Sequence, residues 1–469
     1  MKRIWRWLDD RTGLITTIGR ITRHLVPPRT GWRYVLGSAT LVAFLIQVGT
    51  GIALATVYVP STQNAYDSID FISHGATLGH LLRGMHYFGA SAMMILIGLH
   101  LLRVFLTASY KYPREANWLT GVGLLGLVVV MAFTGQLLRW DQNAVWSAVV
   151  AAEQAGQVPW IGAALAHFIL GGDRLGGATL TRFFAFHVFF IPALIFLFIG
   201  VHVYLVLRNG ISEPPEVLPR IDPQSYRARY ADLLAARGRP FWPDVAWRDA
   251  VAAFIVVCAV VALAHWAGPP DVGKPPNPSL INASPRPDWY FLWYFAVLAK
   301  LPKHVEQPWF IVLAPLVAAI VLIALPFVFP AGERRLTRRP WAVIVAAGLL
   351  FVVGYFWWLG ARAPWSPVFN APTLAVQGAQ RADTLQVTGA RLFHDKGCEY
   401  CHAIAGQGGH HGPDLTGVAA RLDSAQIASR ILGGASDMPA YVGKFTPDEL
   451  AALIVYLRRE HATTGKPAP

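Results

Sequence analysis

Residues 81–105 read LLRGMHYFGASAMMILIGLHLLRVF, an almost uninterrupted apolar run that contains two histidines. His86 and His100 are fourteen residues apart. An α-helix rises ~1.5 Å per residue, so it places the two side chains ~21 Å apart along its axis and within ~40° of each other around it. The run therefore predicts one membrane-length helix with two imidazoles on one face at two depths.

A second apolar run, residues 183–207, carries the same arrangement with His187 and His202, fifteen residues apart. An imidazole in hydrocarbon is costly, and ionisable residues inside membrane spans usually mark function. Histidines that only hydrogen-bond between packed helices are the alternative, but that interpretation does not predict two pairs at matching spacing. Four imidazoles on two such helices are the minimum that holds two bis-histidine haems stacked across a bilayer, and we expect this role.

Glycines repeat the histidine interval in two other apolar segments. Gly37 and Gly51 are fourteen residues apart in the first segment, and so are Gly121 and Gly135 in the third. Small residues let a backbone approach a neighbour closely, as a flat macrocycle against a helix requires. Ordinary helix packing would not predict that the glycines repeat the fourteen-residue interval of the histidines. We therefore expect the four glycines to border the haems.

The composition indicates a membrane protein before any motif is considered. Of 469 residues, 54% are hydrophobic and only 14% charged, and the mean hydropathy is +0.41. The formal charge of +13 would fit nucleic-acid binding only if the basic residues formed a patch on a soluble surface, but they lie in particular loops. We therefore expect no nucleic-acid partner.

Seven spanning helices are predicted, at about residues 33–58, 84–108, 119–138, 183–207, 249–267, 308–329 and 341–360.

The loops between these spans differ in charge. Lys and Arg cluster before the first span and in every second loop after it, whereas the loop at 59–80 has none and that at 141–181 has only Arg174. By the positive-inside rule the N-terminus is cytoplasmic and the C-terminal tail lies outside. Residues 1–32 lack a continuous apolar core, so they predict an amphipathic interfacial segment rather than a secretory signal.

Residues 383–465 differ from the rest, because they are polar and of globular-domain size. They contain CEYCH at 398–402, the CxxCH pattern in which Cys398 and Cys401 fix haem by two thioethers and His402 ligates iron. Such a short pattern can also occur by chance or bind zinc. TPDE at 446–449 predicts a capping box with proline at the first helical position.

Residues 30–360 resemble cytochrome b, the quinol-oxidising core of cytochrome bc-type complexes. The histidines, the glycines and a second motif, PDWY at 287–290, agree in order. The fourteen and fifteen spacings are similar to those of the photosynthetic-type branch. The resemblance implies crossed pairing of the haem ligands, His86 with His187 and His100 with His202.

The tail resembles class I cytochrome c, which implies Met438 as the sixth ligand of a covalent haem. In the resembling photosynthetic-type branch, a cysteine early in the first span attaches an extra haem. This chain has Tyr34-Val35-Leu36 there, so we expect none. The cofactors expected are two non-covalent haems b and one covalent haem c.

PDWY implies a quinol site on the outer side. Quinol loses protons as it loses electrons, and Asp288 could accept one and carry it to water; the alternative is a Pro-Asp turn followed by interfacial aromatics. The resemblance assigns Asp288 and Tyr290 to catalysis and Pro287, Trp289 and Trp140 to the quinone pocket. Before this last tryptophan the family often has proline, whereas the chain has Arg139. That departure bears on the shape of the pocket.

Two arginines flank the histidines of the second span. Arg83 and Arg103 fit a role in binding haem propionates, as the resemblance implies; snorkelling to the interface is the alternative.

The chain has three cysteines, of which two are assigned to haem, and Cys258 stands alone in a span. A Rieske cluster needs two cysteines and two histidines. We therefore expect a separate Rieske iron–sulfur protein as partner.

The fold class expected is mainly α, a polytopic bundle of about seven spanning helices with a C-terminal all-α cytochrome c domain. The function expected is quinol:cytochrome c oxidoreduction coupled to proton translocation, in a bacterial inner membrane, by a homodimer within a larger complex that passes electrons to a downstream cytochrome or oxidase. A di-haem anchor that carries electrons from a periplasmic donor to quinone and a non-catalytic relay are the alternatives. The segments expected are the interfacial 1–32, a four-helix di-haem domain at 33–208, a cytoplasmic linker at 209–248, a three-helix domain with the PDWY loop at 249–360, a linker at 361–382 and the cytochrome c domain at 383–465.

Overall fold

The computed structural model describes residues 2–276, 286–301, 308–363, 365–368, 384–434 and 438–458. The chain is mainly helical, as predicted. The helices are α1 (Lys2–Thr12), α2 (Leu14–Thr22), α3 (Leu36–Ala55), α4 (Ala65–His74), α5 (Gly79–Leu106), α6 (Glu115–Leu137), α7 (Gln142–Gly156), α8 (Gly162–Leu170), α9 (Gly177–Ala185), α10 (Ile191–Asn209), α11 (Tyr226–Arg237), α12 (Ala246–Trp266), α13 (Leu292–Lys300), α14 (Pro308–Val328), α15 (Pro340–Arg362), α16 (Thr384–Asp395), α17 (Val418–Arg421), α18 (Ser424–Gly433) and α19 (Pro447–Arg458). The strands are two-residue pieces: β1 (Leu25–Val26), β2 (Arg220–Ile221), β3 (Arg239–Pro240), β4 (Gly332–Glu333), β5 (Ala403–Ile404) and β6 (Gln407–Gly408).

Seven helices within the described residues are long and apolar enough to cross a membrane, which confirms the predicted number. Each contains an 18-residue window with few charges, because a helix in lipid satisfies its backbone groups internally and leaves only side chains to face the hydrocarbon. They cover Leu36–Ala55, Gly79–Leu106, Glu115–Leu137, Gly177–Asn209, Ala246–Trp266, Ile311–Val328 and Pro340–Arg362.

The chain forms two compact units. The first contains Met1–Gly135, Thr181–Pro270 and Gln307–Val353. In it α5 packs against both α3 and α12, so the helix with the first histidine pair is central. Apolar side chains from four helices fill the core, namely Ala43, Phe44, Met93, Ile97, Val128, Ile191 and Ile195.

The fourth span is not a continuous α-helix. A π-helical turn, Phe186–Phe190, joins α9 to α10 and contains His187. A π turn takes up one extra residue inside a helix. It therefore accounts for the fifteen-residue spacing from His187 to His202, where the other pair has fourteen.

A buried ion pair joins two loops of the first unit. Arg334, directly after β4, donates to the Glu213 carboxylate, and both side chains are almost completely buried. Tyr226 donates to the other Glu213 oxygen at 2.7 Å. Beside them β2 pairs with β4 in antiparallel register. The loop segments of residues 210–221 and 332–334 are thus joined by charge and hydrogen bonds, and Leu218 and Ile221 add apolar packing against Tyr226.

The second unit contains Gln136–Leu180, Asp271–Glu306 and Gly354–Pro469. Its C-terminal part is a small helical domain in which α16 packs against α19 around one apolar core. The predicted capping box is confirmed: the Thr446 N–H donates to the Glu449 carboxylate at 2.9 Å, and the Glu449 N–H donates to the Thr446 hydroxyl at 3.2 Å. Most of the predicted 361–382 linker lies outside the described residues.

Candidate functional site

His86 and His187 face each other from different helices. Their ring centroids are 6.2 Å apart and their planes are inclined at 76°. A metal–imidazole bond is about 2 Å long, and a ring centroid lies roughly 1 Å behind the nitrogen, so two imidazoles on opposite sides of one metal have centroids roughly 6 Å apart. The spacing therefore fits an iron held between the two rings.

Threonine hydroxyls fix the orientation of three of the four rings. Each hydroxyl gives its own proton to a backbone carbonyl one turn earlier in its helix. Its oxygen is then an acceptor, so Nδ1 of the histidine is the donor and Nε2 keeps the lone pair that a metal needs. The Nδ1 to Oγ1 distances are 2.9 Å for His86 and Thr50, 2.8 Å for His202 and Thr120, and 3.1 Å for His187 and Thr134.

His100 differs from the other three. Its Nδ1 is buried and has no hydrogen-bond partner among the residues that the structure describes. The glycine beside this ring is Gly37, and the residue before it is Leu36, whereas threonine precedes the other three glycines. The missing hydroxyl thus explains the unsatisfied nitrogen. The Thr-Gly pairs are a sequence signal that the histidine and glycine spacings alone did not reveal.

Each predicted glycine lies against one histidine ring. A Cβ atom added to the glycine would come close to Cε1 of that ring, so the glycines make room for the imidazoles themselves. The distances would be 3.3 Å from Gly37 to His100, 3.3 Å from Gly51 to His86, 3.5 Å from Gly121 to His202 and 2.6 Å from Gly135 to His187.

The two flanking arginines have protein partners. Arg83 donates to the Ser73 hydroxyl at 2.9 Å and to the Pro270 carbonyl at 2.6 Å. The Arg103 guanidinium lies over the Tyr34 ring, 3.9 Å from its centroid. Binding of haem propionates by these arginines stays a prediction.

The CxxCH segment lies at the edge of the small domain's core. His402 donates from Nδ1 to the Pro413 carbonyl at 2.8 Å, which leaves Nε2 as the metal-binding nitrogen. Burial raises the pKa of the Cys398 thiol to about 12 and that of Cys401 to about 11. Met438 packs against the same core.

Asp288 of the PDWY motif is held by three groups, two of them at the end of α6 and in the turn that follows it, and the third in the motif itself. Its Oδ1 is 3.1 Å from Nη1 of Arg139, and its Oδ2 accepts from the Tyr290 hydroxyl at 3.0 Å. Its backbone N–H donates to the Gln136 side chain at 3.1 Å. The structure thus brings the predicted catalytic pair together and adds Arg139, which the sequence marked only as a departure.

The turn that presents Arg139 is strained. Trp140 has φ 49°, a left-handed conformation that is unusual for a bulky residue, and its side chain is buried. Asp141 then caps α7 by accepting from the Ala144 N–H at 2.8 Å. The fixed turn places Arg139 between two carboxylates, Asp288 and Asp141.

Arg286, which sequence reasoning missed, anchors the PDWY loop. Its guanidinium donates to the carbonyls of Gly360 and Ala361 at the C-terminal end of α15, where the helix dipole favours a cation. Its backbone N–H donates to the Asn143 side chain at 3.2 Å. A basic residue directly before the motif was the only signal for this role.

Fold and site together define a polytopic membrane haem protein with a c-type cytochrome domain at its C-terminus. Sequence models of three families match: "Cytochrome b/b6/petB" at residues 21–210, "Cytochrome b(C-terminal)/b6/petD" at 275–377 and "Cytochrome C oxidase, cbb3-type, subunit III" at 385–457. The third match supports the predicted fusion to a cytochrome c domain.

Curated relatives agree. The chain is 39% identical to the cytochrome b6 of Synechococcus sp. (strain JA-3-3Ab) over 214 residues, 46% of this chain and 100% of the relative. It is 37% identical to that of Rippkaea orientalis over 211 residues, 45% of this chain and 95% of the relative. A chain of a solved "Hyperthermophilic respiratory Complex III" superposes with a TM-score of 0.64 at 25% identity, covering 84% of this chain and 97% of that one. The chain belongs to the cytochrome b/b6 family, and its cytochrome b and c domains imply haem binding.

Proposed function

We propose that this chain is the core subunit of a membrane quinol:cytochrome c oxidoreductase. The observation that carries the proposal is the placement of Asp288, whose carboxylate is oriented by Arg139 on one oxygen and by Tyr290 on the other. An oriented carboxylate at the edge of an aromatic motif can accept the proton that quinol releases on oxidation. Pro287, Trp289 and Trp140 border the proposed quinone pocket.

The proposed electron path uses three haems. His86 with His187 and His100 with His202 would hold two haems b. Cys398 and Cys401 would attach the haem c, with His402 and Met438 as its ligands. Haem supplies one-electron carriers at these positions. The Nδ1 hydrogen bonds of His86, His187, His202 and His402 support this assignment, because they leave Nε2 free for iron.

The division of electrons requires partners. One electron passes through a separate Rieske protein to the fused haem c, and the other passes inward through the haems b to a second quinone site. A downstream cytochrome or oxidase then accepts electrons from the haem c. Proton release outside and uptake inside build a gradient, and the chain functions as a homodimer within a larger complex.

The proposed location is the bacterial inner membrane, with the N-terminus in the cytoplasm and the cytochrome c domain in the periplasm. The distribution of Lys and Arg between alternate loops supports this orientation. Exposed Trp5 and Trp7 on α1, next to basic residues, support an interfacial role for the N-terminal segment.

The test replaces the carboxylate by Asp288→Asn. Side-chain size is kept but the proton acceptor is lost, and a positioned base typically contributes ~100-fold to rate. Water can replace part of that, so quinol-driven reduction of the c haem should fall at least about tenfold. Haem content and direct chemical reduction should stay normal, as they should in the control Asp173→Asn, whose side chain is 98% exposed in the same unit. Normal quinol turnover in Asp288→Asn would contradict the catalytic role of Asp288 and favour the alternative of a Pro-Asp turn followed by interfacial aromatics.

A further inference from the structure

Arg139 has a specific relationship to the carboxylate on which the proposed quinol chemistry depends. Its Nη1 lies 3.1 Å from Oδ1 of Asp288, and the two side chains are only 20% and 14% exposed. Partial burial strengthens such a charge-assisted contact relative to a surface ion pair. The contact fixes the direction of the carboxylate more firmly than the neutral Tyr290 hydroxyl alone can.

A second carboxylate keeps Arg139 in place. Oδ2 of Asp141 lies 3.7 Å from Nε of Arg139. The Asp141 side chain is itself immobilised, because it accepts from the Ala144 N–H at 2.8 Å and from the Gly273 N–H at 3.2 Å. Asp141 is therefore a fixed counter-charge, and Arg139 retains an ionic partner whatever happens to Asp288.

This arrangement matters once a proton is transferred. When a quinol O–H bond breaks and an O–H bond forms on Asp288, the electron leaves to the iron–sulfur partner or the b haem of the proposed function. The neutral carboxyl group then loses its ionic attraction to Arg139, whereas Arg139 remains paired with Asp141. No buried guanidinium is left without a counter-charge, so Asp288 can turn towards water at little cost.

We propose that Arg139 is a positioning residue for quinol oxidation, which aims the ionised Asp288 carboxylate at the substrate and releases it after protonation. This inference rests on the proposed quinol function. The charged and titratable groups around Asp288 in the described residues are Arg139, Tyr290 and, behind Arg139, Asp141. Only Arg139 among them is a permanent cation.

The experiment measures quinol-driven reduction of the c haem in the assembled membrane complex. Arg139→Gln should lower kcat at least about tenfold with KM changed less than about twofold, because the lost group acts on proton transfer and not on substrate binding. Arg139→Lys, which keeps the charge, should recover most of the rate. Arg174→Gln, at an exposed arginine of the same unit, should match the wild type.

The deciding measurement is the double variant Arg139→Gln with Asp288→Asn. If Arg139 acts through Asp288, this variant should be within about twofold of Asp288→Asn alone, since the two losses are not independent. A full additional loss would show a structural role and overturn the inference. So would wild-type turnover in Arg139→Gln while Asp288→Asn is slow.

The two proposals fail in different ways. If quinol does not reduce the c haem in the wild-type complex, the proposed function itself fails, whatever Arg139 does, whereas wild-type turnover in Asp288→Asn removes only the role of that carboxylate and with it the role of Arg139. If Arg139→Gln does not assemble with normal haem content, Arg139→Met replaces it, because methionine keeps a long unbranched side chain but carries no charge. Any loss that it causes must disappear in the Asp288→Asn background; a loss that persists there would overturn the inference.

Discussion

A methyl group on Gly135 would stand 2.6 Å from Cε1 of His187, closer than any other contact between the four spaced glycines and the four histidines. At Gly121 the same methyl group would be 3.5 Å from Cε1 of His202, an ordinary van der Waals distance. Glycines that share one sequence spacing thus differ in how strictly the structure requires them.

The first prediction compares these two positions. Gly135→Ala should displace the His187 ring and lower the ratio of b-type to c-type haem by about half, because one of two imidazole pairs loses its geometry. Gly121→Ala should keep the normal ratio. Pyridine-haemochrome spectra of the purified variants measure both types. Equal haem content in the two alanine variants would contradict the prediction.

The second prediction concerns the threonine hydroxyls. Thr50→Val removes the acceptor for Nδ1 of His86 while keeping side-chain volume, and loss of such a partner typically costs about 10–100-fold in metal affinity. We expect the haem on this histidine to be lost more readily on dilution into detergent. Thr50→Ser, which keeps the hydroxyl, should behave as the wild type does. Indistinguishable haem retention in Thr50→Val and Thr50→Ser would show that the hydroxyl is dispensable.

The third prediction uses the three cysteines. Two of them should be thioethers to haem, so alkylation of the fully denatured chain should modify Cys258 alone. Denaturation is needed because burial raises the pKa of Cys398 and Cys401 and would protect free thiols in the folded chain as well. Mass spectrometry of the labelled peptides gives the count. Three labelled cysteines would exclude covalent haem.

The fourth prediction compares a buried and an exposed ion pair. Glu213→Gln leaves Arg334 buried without a counter-charge, and breaking a buried pair in this way typically costs about 3–5 kcal/mol. The variant should therefore unfold in detergent at lower denaturant concentration. Glu216→Gln breaks the pair with Arg33, in which both side chains are about half exposed, and should change stability by less than about 1 kcal/mol. Similar midpoints for the two variants would mean that the Arg334 contact contributes little.

Much of the outline was predictable because it depends on local properties of the chain. Each span is a long apolar segment, and a helix in lipid needs no partner to satisfy its backbone. The capping box at Thr446 and Glu449 is equally local, since its two hydrogen bonds join residues three apart.

The sequence by itself therefore determined the seven spans, the C-terminal helical domain and the family, since hydrophobicity, motif order and short spacings are all read along the chain. Tertiary structure alone decided which groups meet across long separations. Arg139 and Asp288 lie far apart along the chain, and their ion pair depends on the strained turn at Trp140 and on Arg286 holding the PDWY loop.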